Sequence, residues 1–158
     1  MRATREAIEH IFPEQDFATA FSITLKRNEQ EAIRTACGSL WTSDTVMIWL
    51  PQRNDSILGY VIVDEVMGRD QLITYLVAVD RNLAVRDLEI LAYREPYGGE
   101  VTYKSWQRQF FGKVPEDRLR HGREIRNISG ATISARAVTN GVRRILYTLR
   151  MLQQRLPQ

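Results

Sequence analysis

Hydroxyl-bearing and small residues fall together in Ser129-Gly130-Ala131-Thr132-Ile133-Ser134, directly ahead of the longest helical pattern in the chain. From Ser134 onward, Val138, Val142, Ile145 or Leu146, Leu149 and Leu152 recur every three or four residues, the spacing of one helix face. Ser134 stands where an N-cap belongs. The first turn of such a helix carries unpaired backbone N–H groups and the positive end of the macrodipole, so an anion over Gly130 to Ser134 is stabilised there. Gly130 and Ala131 let a ligand come close to the backbone. The arrangement suits a phosphate, and it equally suits a plain helix cap; the spacing alone does not separate the two.

A second stretch with chemical potential is Arg94-Glu95-Pro96-Tyr97-Gly98-Gly99-Glu100. Gly98-Gly99 supplies a loop whose backbone can take positive φ and lie against a planar ring. Trp106, Phe110 and Phe111 read from the residues alone as core anchors of a short helix. Between the two stretches runs a polar, basic loop from Pro115 to Arg123. It reads as solvated surface or, through Arg123 or Arg126, as the neutraliser of a phosphate, since guanidinium matches phosphate oxygens in bidentate geometry. No enzyme constellation emerges from the residue spacing. His10 and His121 are far apart, neither is spaced with a nucleophile, and GxxxxGK[ST] and GxGxxG are both absent. Chemistry done by this chain is therefore carried by a cofactor, with the fold supplying position and electrostatics.

The elements that must position these stretches are legible from periodicity. Thr4 to Phe12 reads as a short amphipathic helix stopped by Pro13, Phe21 to Leu25 as a strand, and Glu29 to Cys37 as a helix ended by Gly38. The runs 46–50, 58–66, 72–79 and 85–91 are rich in Val, Ile, Leu and Tyr and are separated by turn-formers such as Asn54-Asp55-Ser56 and Gly68-Arg69-Asp70. Connections this short leave no room for crossover helices, so the strands form an antiparallel meander. With helices at both ends, the class is α+β: an antiparallel sheet covered by helices on one face, with a long C-terminal helix after the Ser129–Ser134 turn. The arginines of that helix, Arg143, Arg144, Arg150 and Arg155, lie off its apolar stripe and read as a solvated face.

At 158 residues and net charge +3, the chain is expected to be one domain with an ordinary core, and its spread arginines give little indication of a nucleic-acid partner. Cys37 is the single cysteine, which excludes an intrachain disulfide and a cysteine-based metal site; Ala32, Ile33 and Ala36 around it suggest a small core residue. No run approaches the length of a membrane span, and the N-terminus lacks the apolar region of a signal peptide.

Ser129-Gly130-Ala131-Thr132-Ile133-Ser134, followed by Val138 and Gly141-Val142, resembles the "SGAT" signature of the FMN-binding domain family. That family includes the FMN-carrying subunits of the sodium-pumping NADH:quinone oxidoreductase and of the Rnf electron-transfer complex. Ile73 to Asp80, Val85 to Leu91, the Glu95 and glycine loop, and Lys104-Ser105-Trp106 through Lys113 also resemble that family, in the same order. The likeness covers a core of about residues 72–149, leaving 1–71 as an N-terminal extension of a single 1–158 domain.

The resemblance implies FMN as cofactor, bound by Glu95, Tyr97, Gly98, Gly99, Trp106, Arg126, Ser129, Gly130, Ala131, Thr132 and Ser134. It implies an electron-transfer flavoprotein subunit rather than a stand-alone enzyme, with FMN joined to Thr132 by a phosphodiester that a flavin transferase installs. The partner it implies is a redox protein or membrane electron-transfer complex on the extracytoplasmic or periplasmic face, so a chain without leader or anchor would be a trimmed form or a soluble subunit. The transferase pattern usually has an aspartate six residues before the modified threonine, where this chain has Arg126. A non-covalent FMN sensor and a flavin-free adaptor are the alternatives that this departure leaves open.

Overall fold

A computed structural model describes residues 3–158; the first two residues of the expected N-terminal extension lie outside the described residues. The chain runs α1 (Thr4–Ile11), β1 (Phe17–Thr24), α2 (Arg27–Cys37), β2 (Thr45–Arg53), β3 (Ser56–Ile57), β4 (Gly59–Met67), β5 (Leu72–Asp80), β6 (Val85–Tyr93), α3 (Lys104–Gln107) and α4 (Thr132–Met151). The strands form one antiparallel sheet in the order β1-β2-β4-β5-β6, with the short β3 paired to β2. The meander expected from the turn-formers is therefore present. Asn54 and Asp55, both at positive φ, make the tight turn from β2 to β3.

The sheet is covered on both faces, not one. Tyr60, Ile62, Tyr75, Val77, Val79 and Leu88 face α4 and α2 in the main core. On the opposite face Val61, Leu76, Ala78 and Leu91 pack against Ala7, Ile8, Ile11 and Phe12 of α1 and the residue after it. The cause lies in β5: from Tyr75 to Val79 every residue is buried, so both faces of this central strand must be shielded from water.

The spine of the main core is α4. Val138, Val142, Ile145 and Leu149 are each almost fully buried, worth about 1.5–3 kcal/mol apiece relative to exposure. One arginine of this helix departs from the expected solvated face. Arg144 is buried and pairs with the buried Asp64 of β4, whose Oδ2 also accepts the Tyr75 hydroxyl at 2.8 Å. The guanidinium further donates to the Leu40 carbonyl at 3.1 Å and stands over the Trp41 ring. A buried charge is tolerated only with such partners, and here they fix α4 against β4 and β5. Arg150 and Arg155 are half-exposed and reach Glu116 and Glu29. Cys37 is a free thiol, half-buried at the end of α2 rather than fully in the core, and burial pushes its pKa up.

Candidate functional site

The antiparallel register decides which loops meet. Met67 pairs with Leu72 across the β4–β5 turn, and Ile73 pairs with Tyr93, so that turn and the segment leaving β6 lie at the same end of the sheet. The N-terminus of α4 comes to the same place. Together they enclose a cavity of about 530 Å³ lined by Arg69, Asp70, Glu95, Pro96, Tyr97, Gly130, Ala131, Thr132, Ile133 and Ser134. This volume lies within the range of about 300–1,000 Å³ that small-molecule and cofactor sites occupy.

At the floor of the cavity α4 begins at Thr132, two residues earlier than its apolar pattern suggests. Ala131 is the N-cap residue and makes no capping side-chain bond. Ser134 is therefore not the cap. It sits in the first helical turn, buried, with Oγ 3.2 Å from the Tyr93 hydroxyl. The first intrahelical bond is from the Ala135 amide to the Ala131 carbonyl at 3.0 Å, which leaves the amides of Thr132, Ile133 and Ser134 at the open helix end without a backbone acceptor. Gly130 enters the turn at φ +80. Thr132 is half-exposed, and its hydroxyl makes no hydrogen bond to any described residue.

Tyr93 joins two walls. Its hydroxyl donates to the Tyr97 carbonyl while lying beside Ser134 Oγ, and so ties the loop after β6 to α4. Gly98 makes that approach possible. A Cβ at this position would lie 2.6 Å from the Ala131 Cβ and 2.7 Å from the Tyr93 hydroxyl, and φ is +80. Gly99 has an ordinary φ and open space around it; it opens a 3₁₀ turn, Gly99–Thr102, so only the first of the two glycines takes the left-handed conformation. Tyr97 is 80% exposed and Ile133 49%, so both present apolar surface at the cavity.

The Glu95 carboxylate is committed to backbone. Its Oε1 accepts the amides of Asp70 at 2.6 Å and Gln71 at 2.8 Å, which hold its carboxyl below the usual carboxylate range. Of the residues singled out from the sequence, Glu95, Tyr97, Gly130, Ala131, Thr132 and Ser134 come together at the cavity, and Gly98 backs it from behind Ala131.

Trp106, Arg126, Gly99 and Ser129 do not line it. Trp106 is buried edge-on against Phe110 and donates Nε1–H to the Arg126 carbonyl at 2.8 Å, the core-anchor place that its sequence context also allowed. The Arg126 amide donates to Gln109 Oε1 at 2.7 Å while its side chain is exposed. Arg123 is exposed as well and lies off the cavity wall. In the same loop Arg120 grips Glu124 and holds that carboxyl down at about 2, and His121 meets Asn127 Oδ1 at 2.9 Å. Sequence reasoning missed Arg69, Asp70, Pro96, Ile133 and the tying residue Tyr93. Among the described residues there is no cluster that could hold a metal ion, and no helix is long and apolar enough to cross a membrane.

An uncapped helix start with open amides, a threonine hydroxyl unengaged by any described residue, an exposed aromatic ring and a cavity of this size are compatible with a phosphorylated ligand that has a flat apolar part. Residues 68–147 match the FMN-binding domain family, and the chain belongs to that family. FMN is accordingly its cofactor. The crystal structure of NqrC from Shewanella oneidensis superposes with a TM-score of 0.59 over 96% of this chain and 90% of that one at 14% identity, a likeness of fold. No curated protein matches the chain. The residues present fit FMN: amide donors suit the phosphate, and Tyr97 and Ile133 offer apolar surface to the ring system.

Proposed function

We propose that this protein is an FMN-dependent electron relay, holding the flavin at the cavity between the β4–β5 turn, the loop after β6 and the start of α4. Bound FMN accepts or gives one or two electrons; the chain binds it, orients it and exposes one side to a partner. The observation that carries the reading is the open N-terminus of α4, whose amides at Thr132, Ile133 and Ser134 no side chain caps. In this reading the phosphate lies over those amides, where the helix dipole favours it. Tyr97 gives the ring an aromatic face, and its 80% exposure leaves the site accessible to another protein. The partner is a redox protein or membrane electron-transfer complex, as the family resemblance implies. We treat residues 1–158 as a single unit in which the extension before residue 72 completes the sheet.

Thr132 is the proposed acceptor if the flavin is attached covalently. Of the candidate hydroxyls, Ser129 lies off the cavity and Ser134 faces Tyr93, whereas Thr132 lines the cavity with its hydroxyl unengaged. Arg126, in place of the family's aspartate, favours a second reading in which FMN is held without a covalent bond and the domain reports redox state to a partner. Absorbance of the purified full chain tests the proposal: a flavin spectrum after FMN is supplied, with weak uptake of FAD, is expected. A chain that takes up no flavin would be a structural adaptor, and the relay would be withdrawn.

A further inference from the structure

The cavity wall carries a single guanidinium, that of Arg69, and its turn is clamped from outside the hairpin. Glu95 reaches across from the end of β6 to accept the amides of Asp70 and Gln71, while the Gly68 amide donates to the Gln71 carbonyl at 2.9 Å. Gly68 is what admits the carboxylate, since a Cβ there would lie 2.9 Å from Glu95 Oε1. Arg69 is thus held on a fixed backbone, yet its side chain makes no hydrogen bond or ion pair with any described residue. Glu95 acts on that guanidinium only at a distance, through charge.

The Arg69 guanidinium from the β4–β5 turn and the open amides at the start of α4 are the donors of a cavity whose wall also carries the carboxylates of Asp70 and Glu95, the latter committed to the backbone of the turn. Neither donor set makes a hydrogen bond to a described residue, and a phosphate that meets both satisfies both. We propose that Arg69 is the positioning and specificity-determining residue of this site, meeting the phosphate of FMN opposite the α4 N-terminus and selecting phosphorylated flavins over riboflavin. The proposal rests on the FMN reading of the cavity. It moves the role of phosphate partner away from Arg123 and Arg126, which lie off the cavity wall, whereas Arg69, exposed as they are, lies on it. A guanidinium suits the task through its fixed fork of donors, which a helix end alone lacks.

The test is a fluorescence titration of the full chain, produced without a flavin transferase, with FMN and with riboflavin at low and moderate salt. Arg69→Gln should weaken FMN on the order of ten-fold or more while leaving riboflavin affinity where it was. Arg69→Lys should recover part of the loss, and Arg126→Gln, which carries the competing assignment, should keep the parent's preference. The FMN-to-riboflavin ratio of the parent should fall with salt more steeply than that of Arg69→Gln. Thermal melts matched to the parent exclude a folding defect in Arg69→Gln, and Arg69→Lys decides the question if that variant is unstable. Unchanged FMN affinity in Arg69→Gln, an equal loss for both flavins, or a loss in Arg126→Gln instead would overturn the role of Arg69 while FMN binding by the parent stands. A parent that binds neither flavin would overturn both proposals.

Discussion

The Tyr93 hydroxyl lies 3.2 Å from Ser134 Oγ and joins the last residue of β6 to the first turn of α4 across 41 positions of sequence. Because the same hydroxyl also donates to the Tyr97 carbonyl, one oxygen sets the spacing of two walls of the cavity. Tyr93→Phe keeps the ring and removes that oxygen. It should cost about 1–2 kcal/mol of stability and weaken flavin binding, read by urea denaturation and by titration with FMN. An unchanged affinity would mean that packing of the Tyr93 ring alone holds the two walls.

Gly98 and Gly99 are adjacent and should respond differently to the same added methyl group. At Gly98 the left-handed backbone disfavours any L side chain by about 1–2 kcal/mol, before counting the 2.6 Å approach to Ala131. Gly99 has no atom within 4 Å of such a Cβ. Gly98→Ala should lower the melting temperature and flavin affinity together, while Gly99→Ala should leave both nearly unchanged. Equal effects at the two positions would refute the wedge between Tyr93 and Ala131.

Glu95 gives the site a pH dependence with a definite sign. Its carboxyl is held below the usual range by the Asp70 and Gln71 amides, so its grip on the turn is complete above the ordinary carboxylate pKa and is lost as pH falls through the lowered folded value. Amide hydrogen exchange at Asp70 and Gln71, corrected for intrinsic rates, should accelerate between neutral pH and about pH 3. Glu95→Gln should show the faster exchange already at neutral pH. Protection of both amides in that variant would assign the turn's order to the hairpin alone.

The buried ion pair predicts an asymmetry between single and double substitution. Asp64→Leu leaves the buried Arg144 guanidinium without its carboxylate and should cost about 3–5 kcal/mol, as should Arg144→Met, whereas the two changes together should cost less than either alone. Chemical denaturation of the four proteins measures the coupling. Additive losses would show that the two charges are stabilised independently.

How much of this was legible in the sequence differs between local and long-range features. The strands, the meander and the helix after Gly130 follow from residue type and period, which act locally and survive without knowledge of contacts. The burial of Arg144 does not follow, because its partner Asp64 lies 80 residues away and no periodicity announces an ion pair inside an apolar face. Gly68-Arg69-Asp70 was legible as a turn but not as a cavity wall. That role comes from register: pairing Met67 with Leu72 and Ile73 with Tyr93 puts the turn beside Glu95. The displaced start of α4 has a similar origin, since Ser134 could cap a helix by type but its hydroxyl instead faces Tyr93.

Thr132 and Arg126 pull the question of attachment in opposite directions. Thr132 lines the cavity at the helix start with a free hydroxyl, so it is the acceptor we expect, and Ser129 and Ser134 should be spectators. Arg126 replaces the acid that the transferase pattern expects; its side chain is exposed, where a modifying enzyme would meet it, while its amide and carbonyl are bound to Gln109 and Trp106. Arg126→Asp therefore changes a surface charge and leaves those backbone bonds in place. Co-expression with a flavin transferase, followed by intact mass after denaturation, compares the parent with Thr132→Ala and Arg126→Asp. Added FMN mass on the parent that disappears in Thr132→Ala is the result expected of a covalent relay. An unmodified parent whose Arg126→Asp variant gains the mass would mark a domain that keeps the acceptor and holds its flavin without the bond. If neither gains it and the parent still binds FMN in solution, Thr132 is a contact to the phosphate and not its ester partner.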